Sequence, residues 1–281
     1  MAETNISFSG SIPQMYDRYL GPVAFEPYAA DLARRVAATH ATGPVLEMAC
    51  GTGIVTQQLR THLAPERKIV ATDLSQPMLD YAQAKLAALK NIDWRQADIA
   101  ALPFADASFS TVVCQFGLMF VPDKQAAFRE VRRVLGEGGL FAFSVWDSMV
   151  ANPYSRLTHE TLAKLFPADP PQFFTVPFSF HDREVLSQLL TTHSFSDVQI
   201  QTVALEVRSE SAQALATGFV QGSPLSTTLQ ERGVAFEPVI ETLAEAFAHL
   251  GGTAPFRSTM QAVVVTTRRC IIIAFQDKSS L

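Results

Sequence analysis

Two carboxylates and two glycines in the first third of the chain have the types and spacing of a nucleoside-binding site. Glu47 precedes a bend that contains Gly51 and Gly53, and Asp73 comes 20 residues after Gly53. Glycines let the backbone approach a ligand closely and leave the next helix N-terminus facing it. A carboxylate at the position of Asp73 can accept hydrogen bonds from two adjacent ribose hydroxyls. The pattern therefore predicts a nucleoside pocket.

The residues that follow the bend narrow the choice of ligand. A dinucleotide fingerprint requires a third glycine beside the pyrophosphate, but Thr56 occupies that position. Ile54 and Val55 stand where a P-loop has its lysine and hydroxyl. We expect Glu47 in the pocket mouth, where its charge would repel a pyrophosphate and could pair with an ammonium or a sulfonium. The pattern favours a nucleoside that carries positive charge, and S-adenosylmethionine (SAM) has that character.

The elements that must position these residues alternate between apolar runs and amphipathic stretches. Strands are predicted over 44–48, 68–72, 92–96, 111–114 and 140–145, with helices over 54–63, after 75 and over 123–135. Strands that alternate with helices indicate a parallel sheet covered on both faces. Ligands of such sheets bind beyond the carboxyl ends of the strands, and the bend lies at such an end. The predicted fold class is α/β, doubly wound.

The rest of the chain adds a cap and completes the sheet. Further strands are predicted over 198–207 and 261–266, and helices over 211–250 with breaks at Gly218, Gly222, Pro224 and Gly233. We expect an N-terminal helical cap segment (1–43), an α/β core (44–150), an insertion with final antiparallel strands (151–270) and a tail (271–281). The tail either extends the last strand or is foreign to the natural sequence.

Composition excludes several classes of protein. The net charge of −5 argues against a nucleic-acid partner. The first ten residues lack the apolar core of a secretory signal, and no apolar run reaches the roughly 20 residues of a membrane span. Cys50, Cys114 and Cys270 form no C-x-x-C, which indicates a reducing compartment, so we expect a cytoplasmic protein. The six histidines show no metal-ligand spacing, and no metal is expected.

Five ordered blocks resemble the class I SAM-dependent methyltransferases. The blocks are E-M-A-C-G-T-G at 47–53, T-D-L-S at 72–75, A-D-I-A-A-L-P-F at 97–104, F-S-T-V-V-C-Q-F at 109–116 and E-V-R-R-V-L-G-E-G-G at 130–139. They are similar to the small-molecule branch (ubiquinone/menaquinone type, methyltransferase type 11). Ala49 departs from the family pattern, which has a glycine there. The resemblance implies a mostly parallel, seven-stranded Rossmann-like sheet with a helical, aromatic cap.

The resemblance also implies a cofactor site for SAM, whose product is S-adenosylhomocysteine. Asp73 would hold the ribose hydroxyls, Asp98 would accept from the adenine amino group, and Ile99 would lie against the ring. Gln115 and Phe116 would line the sulfonium side, and Tyr16 and Tyr19 would close over the methionine end. The full set of cofactor candidates is Tyr16, Tyr19, Glu47, Ala49, Cys50, Gly51, Gly53, Asp73, Leu74, Met78, Ala97, Asp98, Ile99, Gln115 and Phe116.

Aromatic residues among prolines are the candidates for the acceptor side. These are Phe25, Phe120, Trp146, Tyr154, Phe173 and Phe174. An aromatic, proline-stiffened cover suits a flat or apolar small molecule and excludes water, although the same rings could simply pack a small cap. His159 and His181 flank this region and are the candidates for a general base. Cys50 is interpreted as a small loop residue rather than a nucleophile, because no partner can be placed beside it.

The predicted function is transfer of a methyl group from SAM to a small aromatic or apolar acceptor by in-line displacement. Two alternatives stay open: a SAM-binding protein without turnover and a nicotinamide-dependent oxidoreductase with a degenerate fingerprint. A homodimer is also an open alternative, since the last strand and the apolar tail could pair at a sheet edge. The identity of the acceptor and of its methylated atom is not encoded in any motif.

Overall fold

Seven strands form one sheet in the computed structural model, which describes residues 8–271. The strands are β1 (Val45–Met48), β2 (Ile69–Asp73), β3 (Ile92–Gln96), β4 (Phe109–Gln115), β5 (Leu135–Trp146), β6 (Phe195–Ser209) and β7 (Phe256–Arg269). Their order across the sheet is β3-β2-β1-β4-β5-β7-β6. The chain adds strands outward in one direction from β1 to β3 and in the opposite direction from β4 to β5, which leaves a crevice beyond the ends of the parallel neighbours β1 and β4. The predicted mostly parallel, doubly wound α/β fold is confirmed.

Ten α-helices accompany the sheet in the described part of the chain. They are α1 (Ile12–Met15), α2 (Glu26–Ala37), α3 (Ile54–His62), α4 (Gln76–Lys85), α5 (Lys124–Val134), α6 (Pro153–Leu165), α7 (Arg183–Thr192), α8 (Ala212–Gln221), α9 (Leu225–Glu231) and α10 (Phe236–Gly251). A π-helix, Tyr16–Phe25, joins α1 to α2 and contains Pro22. The predicted tail lies outside the described residues except for residue 271. Among the helices described, none is long and apolar enough to cross a membrane.

The sheet is buried on both faces because successive side chains of each strand point to opposite sides. On β5, Leu140 and Ala142 belong to the apolar cluster that contains α2 and α3. Phe141 and Phe143 belong to the larger cluster on the other face, with α5, α7, α8 and α10. All four side chains are at most 4% exposed. This two-sided burial explains why the core strands are nearly continuous apolar runs.

The last two strands pair with each other in antiparallel fashion and complete the sheet. β7 is antiparallel to both of its neighbours, β5 and β6, so β6 runs in the same direction as the core strands. Only β7 opposes the others. The β6–β7 pairing extends to Ser209 and Phe256, well beyond the last β5–β7 pair at Trp146. The long β6–β7 ribbon therefore projects past the strand ends and carries α8, α9 and α10 between its two strands.

One helical prediction needs correction, and one helix was predicted without bounds. The helix α6 lies in the insertion after β5, where a helical, aromatic cap is predicted; its proline, Pro153, stands in the first turn, where a missing N–H costs nothing. Gly218 does not break the 211–250 region but lies inside α8. A Cβ at Gly218 would come 2.8 Å from Tyr19 Cβ and from Leu20 Cδ2, so the glycine lets α8 pack closely against the π-helix.

Candidate active site

A cavity of about 1540 Å³ opens beyond the carboxyl ends of β1, β2 and β4. Its walls come from the N-terminal helices, the strand-end loops and the cap, including residues of α6 and α8. Single-ligand pockets usually measure about 300–1,000 Å³. The cavity is therefore large enough to hold two small molecules side by side.

Asp73 fixes the geometry of the crevice at one end of the cavity. Its Oδ2 accepts a hydrogen bond from the Gly51 N–H and its Oδ1 accepts one from the Ser75 N–H, both at 2.8 Å. Burial raises the pKa of the Asp73 carboxyl, and the backbone donors partly oppose that rise. Gly51 has a φ of +54°, while a Cβ there would meet nothing within 4 Å. The backbone conformation, not lack of space, requires glycine at this position.

Glu47 does not lie in the pocket mouth as predicted. Its side chain is 1% exposed within β1, it does not line the cavity, and its Oε2 accepts a 2.6 Å hydrogen bond from Thr56 Oγ1. Oε1 is buried and has no hydrogen-bond partner among the described residues. Burial raises the pKa of Glu47 to about 8, with the Thr56 hydroxyl opposing the rise. This rise favours the neutral form of the carboxyl at neutral pH.

The raised pKa of Glu47 predicts a pH-dependent stability. The folded protein holds this proton up to a pKa of about 8, whereas the unfolded chain releases it near the ordinary value of 4.5. Between these values the folded state binds more protons, so this group lowers the free energy of unfolding by about 1.4 kcal/mol for each rise of one pH unit. Glu47→Gln is expected to flatten this dependence on pH. The free energy of unfolding of the variant, relative to that of the parent, should therefore increase as pH rises from 5 to 8. Urea denaturation at several pH values measures the difference. Plots of the free energy of unfolding against pH that run parallel for parent and variant would contradict the prediction.

Most of the predicted cofactor residues are brought together along one wall. Those that line the cavity are Tyr16, Ala49, Gly51, Asp73, Leu74, Met78, Asp98, Ile99, Gln115 and Phe116. Asp98 is exposed and accepts a 2.8 Å hydrogen bond from the Ala100 N–H through Oδ1. Gln115 donates to the Phe25 carbonyl at 3.1 Å, while its Oε1 is buried without a partner among the described residues. This wall combines two carboxylates with an unused amide oxygen.

Five predicted cofactor residues lie behind that wall. Tyr19, Glu47, Cys50, Gly53 and Ala97 do not line the cavity. Gly53 has a φ of +78°, and a Cβ there would lie 2.8 Å from Leu86 Cδ1, so this glycine serves helix packing. Burial raises the pKa of the Cys50 thiol well above its ordinary value, which keeps the thiol protonated and supports its interpretation as a loop residue.

Aromatic rings form a large part of the remaining cavity wall, and two of them, Phe25 and Trp146, pack on the cofactor-wall residues Tyr16 and Phe116. All six predicted acceptor-side residues, Phe25, Phe120, Trp146, Tyr154, Phe173 and Phe174, line the cavity. Phe120 and Phe173 stack with ring centroids 6.2 Å apart, and Phe174 packs 5.5 Å from Phe219. Sequence reasoning missed Phe219, which lies on α8 about 40 residues beyond the aromatic run. The helical pattern of 211–250 gave no signal that this face turns toward the cavity.

Neither histidine predicted as a general base lines the cavity, although the carboxylates of Asp98 and Asp123 do. His159 and His181 do not line it, and His181 Nδ1 lies 2.8 Å from the Phe178 carbonyl oxygen. Within residues 8–271, no histidine, lysine, arginine, cysteine or glutamate side chain lines the cavity. Burial raises the pKa of the Tyr154 phenol above its ordinary value, so Tyr154 stays protonated and can donate a hydrogen bond rather than take a proton. Among the described residues no cluster of three or more potential metal ligands occurs.

Comparison with known proteins finds methyltransferases similar to the α/β core of this chain. The family model described as a methyltransferase domain matches residues 45–139. A demethylmenaquinone methyltransferase of Lactobacillus johnsonii is 36% identical over 125 residues, which is 43% of this chain and 51% of that protein. The enzyme of the same name from Staphylococcus aureus is 27% identical over 205 residues, covering 68% of this chain and 85% of that protein.

Solved structures share the fold at low sequence identity. Phosphoethanolamine N-methyltransferase 2 of Haemonchus contortus, in complex with SAM, superposes with a TM-score of 0.59 at 11% identity. The superposition covers 92% of this chain and 57% of that one. At this identity the likeness shows the fold alone, a Rossmann-like sheet with flanking helices.

Proposed function

Because the chain belongs to the class I SAM-dependent methyltransferases of the small-molecule branch, we propose that it transfers a methyl group from SAM to a small aromatic or apolar acceptor. The observation that carries the proposal is the single cavity that runs from Asp73 to the stacked rings of Phe120 and Phe173. One end offers carboxylates to a nucleoside and the other offers apolar rings to a second molecule. A binding protein for SAM alone would have no use for the second part.

The residues of the carboxylate wall fit SAM. Each oxygen of Asp73 uses one lone pair on a backbone N–H and keeps another for a ribose hydroxyl. Asp98 would accept from the adenine amino group, with Ile99 and Met78 against the ring. The buried Gln115 Oε1, which has no partner among the described residues, would accept from the ammonium of the methionine part. Glu47 lies beneath the loop, close enough to Asp73 for their charges to interact, and would favour a cationic ligand once ionised.

The chain contributes alignment rather than proton transfer. When bound, SAM supplies an electrophilic methyl group on a cationic sulfur. The rings hold the acceptor against that methyl group and exclude water, and such alignment can supply roughly 7–11 kcal/mol of the barrier. A general base would add about 10²–10⁴-fold, a smaller contribution than alignment, and neither His159 nor His181 lines the cavity to supply it.

Two measurements test the proposal. Calorimetry with SAM and S-adenosylhomocysteine measures binding, and a methyl-labelled SAM assay against a panel of hydroxylated and quinol ring compounds measures turnover. Demethylmenaquinone enters the panel because two relatives carry its name. We expect SAM binding and label in at least one ring compound. SAM binding with no labelled product in any cell extract would favour the alternative of a binding protein, and preference for NADH over SAM would favour the oxidoreductase.

Phe173→Ala is expected to separate the two ends of the cavity. Phe173 is half-buried, stacks on Phe120 and packs at 5.2 Å against Phe174. Loss of this ring should raise the acceptor KM about tenfold, corresponding to about 1.4 kcal/mol, and leave the SAM Kd unchanged. Phe166→Ala is the matched control, since Phe166 is a half-buried cap phenylalanine outside the cavity lining. An equal rise in the SAM Kd for Phe173→Ala would contradict the division of the cavity.

A further inference from the structure

We infer that the acceptor is an uncharged aromatic molecule and that the cavity discriminates against ring compounds bearing a carboxylate, sulfonate or phosphate. The inference rests on the proposed function and specifies the substrate class of the same site. The observation is the sign of the ionisable groups that line the cavity. Within residues 8–271 these are Tyr16, Asp73, Asp98, Asp123 and Tyr154. Every group among them that is charged at neutral pH is a carboxylate.

Three basic side chains in the neighbourhood of wall residues are engaged elsewhere. Lys124 follows the wall residue Asp123, but its Nζ donates to the Met119 and Val121 carbonyls and lies 5.0 Å from the Phe180 ring centroid. Arg183 pairs with Asp147 at 3.5 Å and donates to the Thr202 hydroxyl. Lys85 pairs with Asp17 at 2.6 Å. None of the three side chains lines the cavity.

Among the described residues, the acceptor end therefore has rings and neutral donors but no basic side chain to pair with an anion. An anionic group that leaves water for an apolar wall without a cation loses hydration that nothing replaces. The neutral polar groups at this end are the Tyr154 phenol and the hydroxyls of Ser155 and Ser223. A few such groups in an apolar pocket orient a ligand through its hydroxyl or carbonyl oxygen. The wall is thus complementary to a neutral ring that bears oxygen.

A matched pair of probes tests the charge preference. 2-Naphthol and 2-naphthoate share one ring system and differ in charge at pH 7, and Trp146, which lines the cavity, reports binding through its fluorescence. We expect the SAM-free protein to bind 2-naphthol at least tenfold more tightly than 2-naphthoate. A ratio below ten, or failure to bind 2-naphthol, overturns the inference.

A designed cation tests whether missing charge is the cause. Val176 lines the cavity and is half-buried, so Val176→Lys places an ammonium at the wall. We expect the variant, once its fold is verified by circular dichroism, to bind 2-naphthoate at least tenfold more tightly than the parent does. Val185→Lys is the control, because Val185 is 43% exposed on α7 and outside the cavity lining. If folded Val176→Lys binds 2-naphthoate no more tightly than the parent does, the inference is overturned.

Failure of the charge preference can be distinguished from failure of the proposed methyl transfer. Discrimination between the two naphthalenes is measured without SAM and without turnover. If SAM does not bind while the preference for 2-naphthol persists, the methyl-transfer proposal fails and the charge selectivity stands. If SAM binds and ring compounds are methylated but the carboxylate binds equally well, only the inference on charge fails.

Discussion

Asp73→Asn is expected to weaken SAM binding at least a hundredfold, which corresponds to about 2.7 kcal/mol. The two carboxylate oxygens each accept a backbone N–H, from Gly51 and Ser75. An asparagine has one acceptor oxygen, so its NH₂ group must face one of these two N–H donors. The variant loses a charge-assisted acceptor for the ribose and also loosens the glycine loop that shapes the crevice. Calorimetric titration with SAM measures the effect.

Asp80→Asn is the matched control for this prediction. Asp80 lies on the exposed surface of α4 and accepts a 2.7 Å hydrogen bond from Gln76. The same change of charge there should leave the SAM Kd within about twofold of the parent value, because exposed groups of this kind contribute little. A SAM Kd for Asp73→Asn that matches the control would remove the ribose assignment.

Gly117→Ala is expected to give the second large effect. Gly117 has a φ of −98°, which any residue adopts, so the conformation tolerates a side chain. The space does not: a Cβ would overlap the Cβ of Ala49 and lie 2.9 Å from Cys114 Sγ. The methyl group must push the β1 loop away from the β4 loop, and overpacking of this kind costs about 1–3 kcal/mol. We expect a lower free energy of unfolding in urea and, because both loops line the cavity, weaker SAM binding.

The double variant Ala49→Gly/Gly117→Ala checks the cause. Ala49 holds a φ of +52° and its methyl group occupies the space that Gly117 leaves open. Removing that methyl group should restore at least half of the stability lost in Gly117→Ala, so the two substitutions are expected to be non-additive. Ala49→Gly alone loses the packing of one methyl group, which destabilises the protein, but it relieves the strain of a left-handed backbone conformation, which stabilises it. The net change in the free energy of unfolding should be less than about 1 kcal/mol. Additive effects of the two substitutions on the free energy of unfolding would contradict a direct contact between positions 49 and 117.

The departure of Ala49 from the family pattern thus has a structural counterpart. The sequence shows an alanine where the family motif usually has a glycine, but it does not show which residue faces that alanine. Gly117 follows β4, nearly 70 residues later, and comes into contact only because β1 and β4 are neighbours in the sheet. Contacts between residues that are far apart in the sequence depend on the order of strands in the sheet. The spacing of apolar residues along the chain does not predict that order.

Local patterns predicted the strands well because burial on both faces demands continuous apolar runs. All seven predicted strands overlap observed ones, although β6 and β7 extend further than their alternation indicated. Glu47 was misplaced for a related reason. Its carboxylate was expected at the strand end, but both faces of β1 are covered, so a residue within the strand is buried whatever its polarity. The domain boundaries, the homodimer and the role of each site residue stay predictions.

The cap could not be derived because its aromatic residues come from separated segments. Rings of α6, of the 3₁₀ turn at Phe173–Thr175 and of α8 line one cavity, although β6 separates the first two segments from α8 in the chain. Each segment has an ordinary amphipathic or Pro-rich pattern by itself. The composition showed many phenylalanines after β5, but it could not separate rings that line a cavity from rings that fill a core.

The projecting β6–β7 ribbon makes part of the acceptor wall exchangeable. Residues 210–255 leave from Ser209 and return at Phe256, and these two residues are direct partners across the ribbon. A segment whose ends are already held side by side can be replaced by one of another length at little entropic cost. Grafting this segment from a relative would therefore alter acceptor choice as a cassette, while the crevice around Asp73, encoded in the first half of the chain, stays as it is.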